Sequence, residues 1–184
     1  MSDLARAPVP EQLAAFERLV LANDVVAVLL DRLAAVAAPD WYVTAGCLTQ
    51  TVWNVLSDRP PGEGIKDYDV IYHDPAEPPD RPLRAAIATA GGDLGVELDV
   101  HNQALREPPM VSADAVASWP TTASCVAVRR EAPGGALRVL APRGFTDLFA
   151  LVVRPNRVLA PREVYEEKSR RWQRRWPALT VLPY

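Results

Sequence analysis

Cysteine, histidine and methionine are scarce in this 184-residue chain, with two of each. Cys47 and Cys125 form no Cys-x-x-Cys pair. Zinc ribbons and disulfide scaffolds therefore lack support, and a reducing cytoplasm is the simplest home. Long apolar runs are also missing. The most apolar region, residues 19–38, is broken by Asp24, Asp31 and Arg32, so no membrane span is expected. No apolar stretch follows Asp3 and Arg6, so no signal peptide is expected either. An excess of basic charge is absent: 20 Lys and Arg stand against 23 Asp and Glu, a net charge of -3. Bulk nonspecific binding of nucleic acid is therefore not expected, and any such contact must be local. There is no internal repeat and no low-complexity linker, which predicts one domain over residues 1–184. Its N-terminal helices would occupy 1–38.

What is present is an ordinary globular composition, 49% hydrophobic and 23% charged. That is enough apolar matter for one core and argues against disorder. Eighteen prolines, nearly twice the usual share of about 5%, punctuate the chain. Between them, periodicity predicts helices over 10–23, 24–37, 47–57, 83–90, 146–153 and 161–176, and a short helix opening at Ser112. Asp24 is the expected cap of the second helix, and Pro161 suits a first helical position. Strands are predicted over 41–45, 67–72 and 96–100, with a hairpin of 124–130 and 137–140 across Pro133-Gly134-Gly135. The mixture, with its paired late strands, predicts an α+β fold with a mixed sheet flanked by helices.

Asp67-Tyr68-Asp69 alternates with Val70-Ile71-Tyr72. On a strand, residues two apart share a face, so both carboxylates project together, about 7 Å apart along the backbone. Tyr68, Val70 and Tyr72 then point into a core. Adjacent anions repel unless a cation neutralises them, and paired carboxylates suit Mg²⁺ or Mn²⁺. The plainer reading of a bare Asp-x-Asp is two solvated acids. Glu97-Leu98-Asp99-Val100 offers a third carboxylate, with Asp99 ahead of Glu97. Ala45-Gly46-Cys47 takes a strand through glycine straight into a helix, leaving free backbone N–H groups where phosphate can approach.

Lys66 is either a phosphate contact or an ordinary loop lysine. Thr49, Gln50 and Asn54 follow Gly46 on the helix; Asn54 is a candidate nucleotide contact, although helix amides more often bond locally. His101, beside Asp99, reads as structural before it reads as a base or ligand. Trp53, Trp119, Trp172 and Trp176 read as core or semi-buried anchors and not as base-stacking platforms. Lys168, Arg170, Arg171, Arg174 and Arg175 form a late basic cluster. It would bind a triphosphate or an RNA backbone, or be a solvated face paired with Glu163, Glu166 and Glu167. The last reading is preferred. A thiol nucleophile at Cys47 is the remaining chemical alternative, but no orienting His–acid pair accompanies it.

The order of glycine-opened helix, acid pair and later acid resembles the DNA polymerase beta-like nucleotidyltransferase superfamily. Within it the chain resembles a little-characterised, mainly bacterial nucleotidyltransferase family. The likeness runs through Ala45-Gly46, Thr51-Val52-Trp53-Asn54 and Ile65-Lys66-Asp67-Tyr68-Asp69-Val70. It continues in Asp99-Val100-His101-Asn102-Gln103, Trp119-Pro120-Thr121-Thr122-Ala123 and Asp147-Leu148-Phe149. Arg154-Pro155-Asn156, Tyr165, Trp172 and Trp176-Pro177 complete it, over about residues 41–177. The resemblance implies a polymerase beta-like fold and transfer of a nucleoside monophosphate from a nucleoside triphosphate, with Mg²⁺ or Mn²⁺, to an unidentified acceptor. That acceptor would be a small molecule, RNA or protein. Asp67, Asp69 and Asp99 would be the catalytic acids and metal ligands. Gly46 and Cys47 would face the triphosphate. Cys47 departs from the Gly or Ser usual there, and the spacer from Cys47 to Asp67 is longer than in the wider superfamily. The segment Leu105-Arg106-Glu107-Pro108-Pro109-Met110 is shorter than in relatives, so its contacts are altered. The alternative is a catalytically impaired nucleotide- or metal-binding module of the same fold.

Overall fold

A computed structural model describes residues 3–184; the first two residues of the N-terminal region lie outside it. Helix α1 (Val9–Leu21) follows Pro8 and buries Phe16, Leu19 and Val20. Helix α2 (Asp24–Val36) is capped by Asn23, not Asp24: the Val25 N–H donates to Asn23 Oδ1 at 3.1 Å. Asn23 wins the cap because its amide also braces the interior. Its Nδ2 donates to Thr51 Oγ1 at 2.9 Å and to the Tyr68 hydroxyl at 3.2 Å. A neutral amide meets both demands where buried Asp would leave a charge.

Five strands form a mixed sheet in the order β3-β2-β1-β4-β5. They are β1 (Tyr42–Thr44), β2 (Asp67–Tyr72), β3 (Glu97–Asn102), β4 (Ala127–Arg130) and β5 (Leu137–Leu140). Strands β2 and β3 run parallel and the other pairs antiparallel. The α+β expectation is met. Val43, Tyr68, Val70, Tyr72, Val100 and Val128 bury one sheet face in the main core. That core also takes side chains from α1, α2, α3 (Gly46–Leu56) and α4 (Pro82–Gly91). The other face carries Tyr42, Ile71 and Ala127 in a smaller cluster with Ala115 and Val116 of α5 (Ser112–Ala117). Asp67 and Asp69 share this second face with Ile71, at the end α5 does not fill. At about 1.5–3 kcal/mol for each buried large apolar side chain, Tyr68, Val70 and Tyr72 fix the register that turns the acids outward. A slip by one residue would bury the acids instead.

The chain's end departs from expectation. Helix α6 (Thr146–Phe149) stops after four residues, because Leu151 adopts a left-handed conformation (φ 57°). The β-branched Val152 and Val153 then form β6, parallel to β7 (Thr180–Val181). Helix α7 (Arg162–Arg175) starts after Pro161, which stands at its cap. A tryptophan cluster clamps α7 to α3. Trp53 meets Trp172 edge-on at 5.0 Å and Trp176 at 5.7 Å, and its indole N–H donates to the Leu148 carbonyl at 3.0 Å. No helix among the described residues is long and apolar enough to cross a membrane.

Candidate active site

Asp69 is the centre of the site. The parallel register sets it opposite Asp99, and the antiparallel register sets it opposite Thr44. Asp67 lies two residues earlier on the same face. Neighbouring strands are about 4.8 Å apart, so three carboxylates share one patch of sheet. Burial pushes the Asp69 carboxyl up to about 6. Lys168 opposes that shift, Asp67 and Asp99 add to it, and the Gly46 backbone N–H opposes it. Burial disfavours the charged form of Asp69, so a cation placed beside it would stabilise the carboxylate.

Asp99 is engaged elsewhere: His101 Nε2 lies 2.8 Å from its Oδ1. Among the described residues, no three His, Cys, Asp or Glu side chains stand close enough together to hold a metal ion. The expected triad is therefore a row on one face, not a closed ligand set. His101 shares the face of Asp99 and acts on it as a hydrogen-bond partner.

The start of α3 fronts the acids. Ala45 is held at φ 61° and ψ −128°, a conformation that ordinarily suits glycine. Its N–H donates to the Val126 carbonyl at 3.2 Å, and its carbonyl accepts the Thr49 N–H at 3.2 Å and the Thr49 hydroxyl at 3.0 Å. These bonds hold the strain in place. A side chain at Gly46 would put its Cβ 3.3 Å from Gln50 Nε2 and 3.9 Å from Asp69 Oδ2. Glycine keeps that gap clear.

The side chains of two expected ligand contacts are committed to the protein interior. Cys47 is fully buried, and its thiol donates to the Thr44 carbonyl at 3.2 Å. Burial, with Asp69 next in weight, pushes the thiol far up. Only its backbone can face a phosphate, and thiol chemistry is removed. Asn54 is fully buried too. Its Nδ2 donates to the carbonyls of Pro61 and Glu63, both at 3.0 Å, and its Oδ1 accepts the Trp176 indole N–H at 3.2 Å. Every hydrogen of the amide group is committed to holding the 61–63 loop and α7, so Asn54 is structural. Lys66 is exposed beside Asp67, on the wall of a cavity of about 370 Å³.

The basic cluster is divided: Arg170, Arg171 and Arg174 are exposed, as the solvated reading expects, while Lys168 and Arg175 are half-buried. Arg162 does pair with Glu166 at 3.6 Å. Arg170 is exposed and donates to the Glu166 carbonyl at 3.0 Å. Arg171, Arg174 and Arg175 line the cavity together with Gln50, Trp172 and Trp176. Lys168 is half-buried, with its Nζ 4.8 Å from the Trp172 ring centroid. Burial holds its amine below the ordinary lysine value, Asp69 opposes that shift, and Arg171 adds to it. Sequence reasoning noted Gln50 on the helix and Lys168 in the basic cluster but singled out neither as a site residue. A signal existed for each. Gln50 lies one helical turn after Gly46, and Lys168 lies on the stripe of Tyr165, Ser169, Trp172 and Trp176, all buried. Trp53, Trp172 and Trp176 are core anchors and Trp119 is half-buried, all within expectation, and the Trp119 indole N–H donates to Thr44 Oγ1 at 3.1 Å.

Comparison with known proteins agrees with this architecture. A solved NMR structure described as revealing a CCA-adding enzyme head domain superposes with a TM-score of 0.73. The match covers 95% of this chain and 96% of that one at 23% identity, a likeness of fold. No curated protein matches the chain. A family model described as Nucleotidyltransferase matches residues 31–181. With that match spanning most of its length, the chain belongs to the nucleotidyltransferase family.

Proposed function

We propose that residues 1–184 act as one unit that moves a nucleoside monophosphate from a nucleoside triphosphate to an acceptor, with Mg²⁺ or Mn²⁺ as cofactor. The observation that carries this reading is the register that sets Asp69 opposite Asp99, with Asp67 two residues earlier on the same face, in front of a glycine-opened helix. Asp67 and Asp69 would hold the divalent ion, with Asp99 joining once it leaves His101. The bound ion supplies charge neutralisation on the triphosphate and polarises the reacting phosphoryl group.

The chain's own residues do the remainder. The backbone N–H groups at Gly46 and Cys47, with the positive end of α3, orient phosphate oxygens. Lys66 adds positive charge at the cavity mouth. Asp99, on the strand farther from α3, receives the proton of the acceptor hydroxyl. The acceptor oxygen bonds to the α-phosphorus while the bond from that phosphorus to the bridging oxygen breaks. Pyrophosphate leaves with that electron pair. The acceptor is a hydroxyl or phosphate of a small molecule, RNA or protein. Two buried free thiols suit a cytoplasmic setting.

Purified protein with Mg²⁺ or Mn²⁺, a triphosphate and an acceptor panel should release pyrophosphate. The double change Asp67→Ala and Asp69→Ala should abolish that release; persistence of activity refutes the assignment. The Asp99–His101 contact favours a second reading, a binding module without turnover. Calorimetry showing saturable triphosphate binding, with no product from any acceptor, selects the module.

A further inference from the structure

Asp99 faces Asp69 across the sheet and is tied to His101 along its own strand. We propose that His101 is a positioning residue that sets how tightly the acid row takes a divalent ion. By holding Asp99 it keeps the third carboxylate out of the metal site, and Asp99 must give up that contact to join. The proposal deepens the nucleotidyl-transfer reading and rests on it for the identity of the ion.

Register gives the hold its direction. Asp67 pairs with Glu97, Asp69 with Asp99 and Ile71 with His101. The 2.8 Å contact between His101 Nε2 and Asp99 Oδ1 therefore draws the carboxylate along β3 toward Ile71 and away from Asp67. That accounts for a row of acids in which no three ligating groups stand close together among the described residues. The strand itself is fixed from behind. Val100 and Asn102, on either side of His101, are 3% and 7% exposed. Asn102 Nδ2 donates to Glu77 Oε2 and to the Asp74 carbonyl, both at 2.8 Å, and its Oδ1 accepts the Asp74 N–H at 3.1 Å. Asp99 and His101 are thus kept on the acid face, and what remains free is the torsion of their side chains.

The hold is also releasable. The two side chains are 47% and 27% exposed, and neither has another hydrogen-bond or ion-pair partner among the described residues. An exposed contact of this kind adds little to stability, so its consequence lies in where it aims the carboxylate. It needs only a hydrogen on Nε2, which a neutral or a charged ring supplies. A held form that outnumbers the free form about ten to one raises the apparent dissociation constant of a three-carboxylate site about tenfold.

The test titrates the full chain with Mn²⁺ alone, at one fixed pH, reading free Mn²⁺ by electron paramagnetic resonance. His101→Phe removes the donor and should tighten Mn²⁺ binding about tenfold. His101→Gln keeps an N–H donor on a side chain of similar reach and should bind like the parent. With Asp99→Asn already in place, His101→Phe should change nothing. His101→Ala carries the same expectation as His101→Phe if melts show that the larger ring does not fold. Binding equal to or weaker than the parent in His101→Phe overturns the hold. So does tightening that persists with Asp99→Asn, since the gain then does not run through Asp99. Mn²⁺ binding that is lost with Asp67→Asn and Asp69→Asn but indifferent to residue 101 sinks the hold and leaves the transfer reading standing. No Mn²⁺ binding in any of these proteins sinks both. The expected variant pattern without transfer to any acceptor upholds the hold and sinks only the transfer reading.

Discussion

At Asp69 the fold works against its own stability. A carboxyl that ionises at about 6 in the native state and near 3.9 when unfolded binds more protons folded than unfolded between those values. Stability is therefore greatest below pH 4 as far as this group is concerned, and is lost as pH rises toward 6. Asp69→Asn should remove that loss. Without metal, its stability relative to the parent should rise between pH 4 and 6, by about 1–3 kcal/mol at neutral pH. Thermal melts across that range decide the matter, and an unchanged difference refutes the assignment. Ala45 carries a second strain. Ala45→Val puts a β-branched side chain at φ 61°, which should cost roughly 1–3 kcal/mol. The melting temperature should then drop by roughly 2–12 °C for a chain of this length. A melt within a degree of the parent contradicts that account. Both acids and Gly46 were legible in the sequence because alternation and a glycine turn are local patterns. The fate of Cys47 was not. Whether its thiol faces ligand or core depends on how α3 is rolled against β1, and no local spacing encodes that.

Between elements, Asn54 ties three pieces together: α3, the loop at Pro61 to Glu63, and Trp176. Asn54→Ala strands three buried polar groups and should destabilise by about 2–4 kcal/mol, read by urea denaturation. Lys66→Ala should leave stability nearly unchanged and weaken triphosphate binding. If Asn54→Ala instead lost nucleotide affinity at full stability, the structural role assigned here would be wrong. Most element boundaries followed from prolines, caps and periodicity, and 67–72 was read to the residue. The helix expected over 146–153 failed because Val152 and Val153 are satisfied by pairing with Thr180 and Val181. That partner lies far along the chain, and a pattern window cannot see it. The solvated reading of α7 suits the exposed Arg170, Arg171 and Arg174 but not Lys168. Trp53 of α3 seats Trp172 and Trp176, and Lys168 on the same stripe is half-buried within reach of the charge of Asp69.

For the whole molecule, the acids and the α7 cations form one electrostatic unit drawn from both ends of the chain. A bound divalent ion stabilises the native state by mass action, about 2.7 kcal/mol at a hundredfold excess over its dissociation constant. Mn²⁺ should therefore raise the melting temperature of the parent and leave the Asp67→Asn, Asp69→Asn double variant unmoved. An equal rise in both places the ion elsewhere. The net charge of -3 kept the basic cavity out of sight, since composition averages over a surface on which charges segregate.

The sequence by itself determined the sheet's two faces and the acid row. It also determined the mixed α+β class, because side-chain alternation and turn chemistry act within a few residues of each other. Tertiary structure alone decided which helix covers the row. It committed Asn54 to the loop and Cys47 to the core, set His101 on Asp99, and brought residues 168–175 beside residue 67. The last of these joins segments about a hundred residues apart, and the others depend on how α3 and the strands pack, so the free energy lies in the contact and not in any one segment.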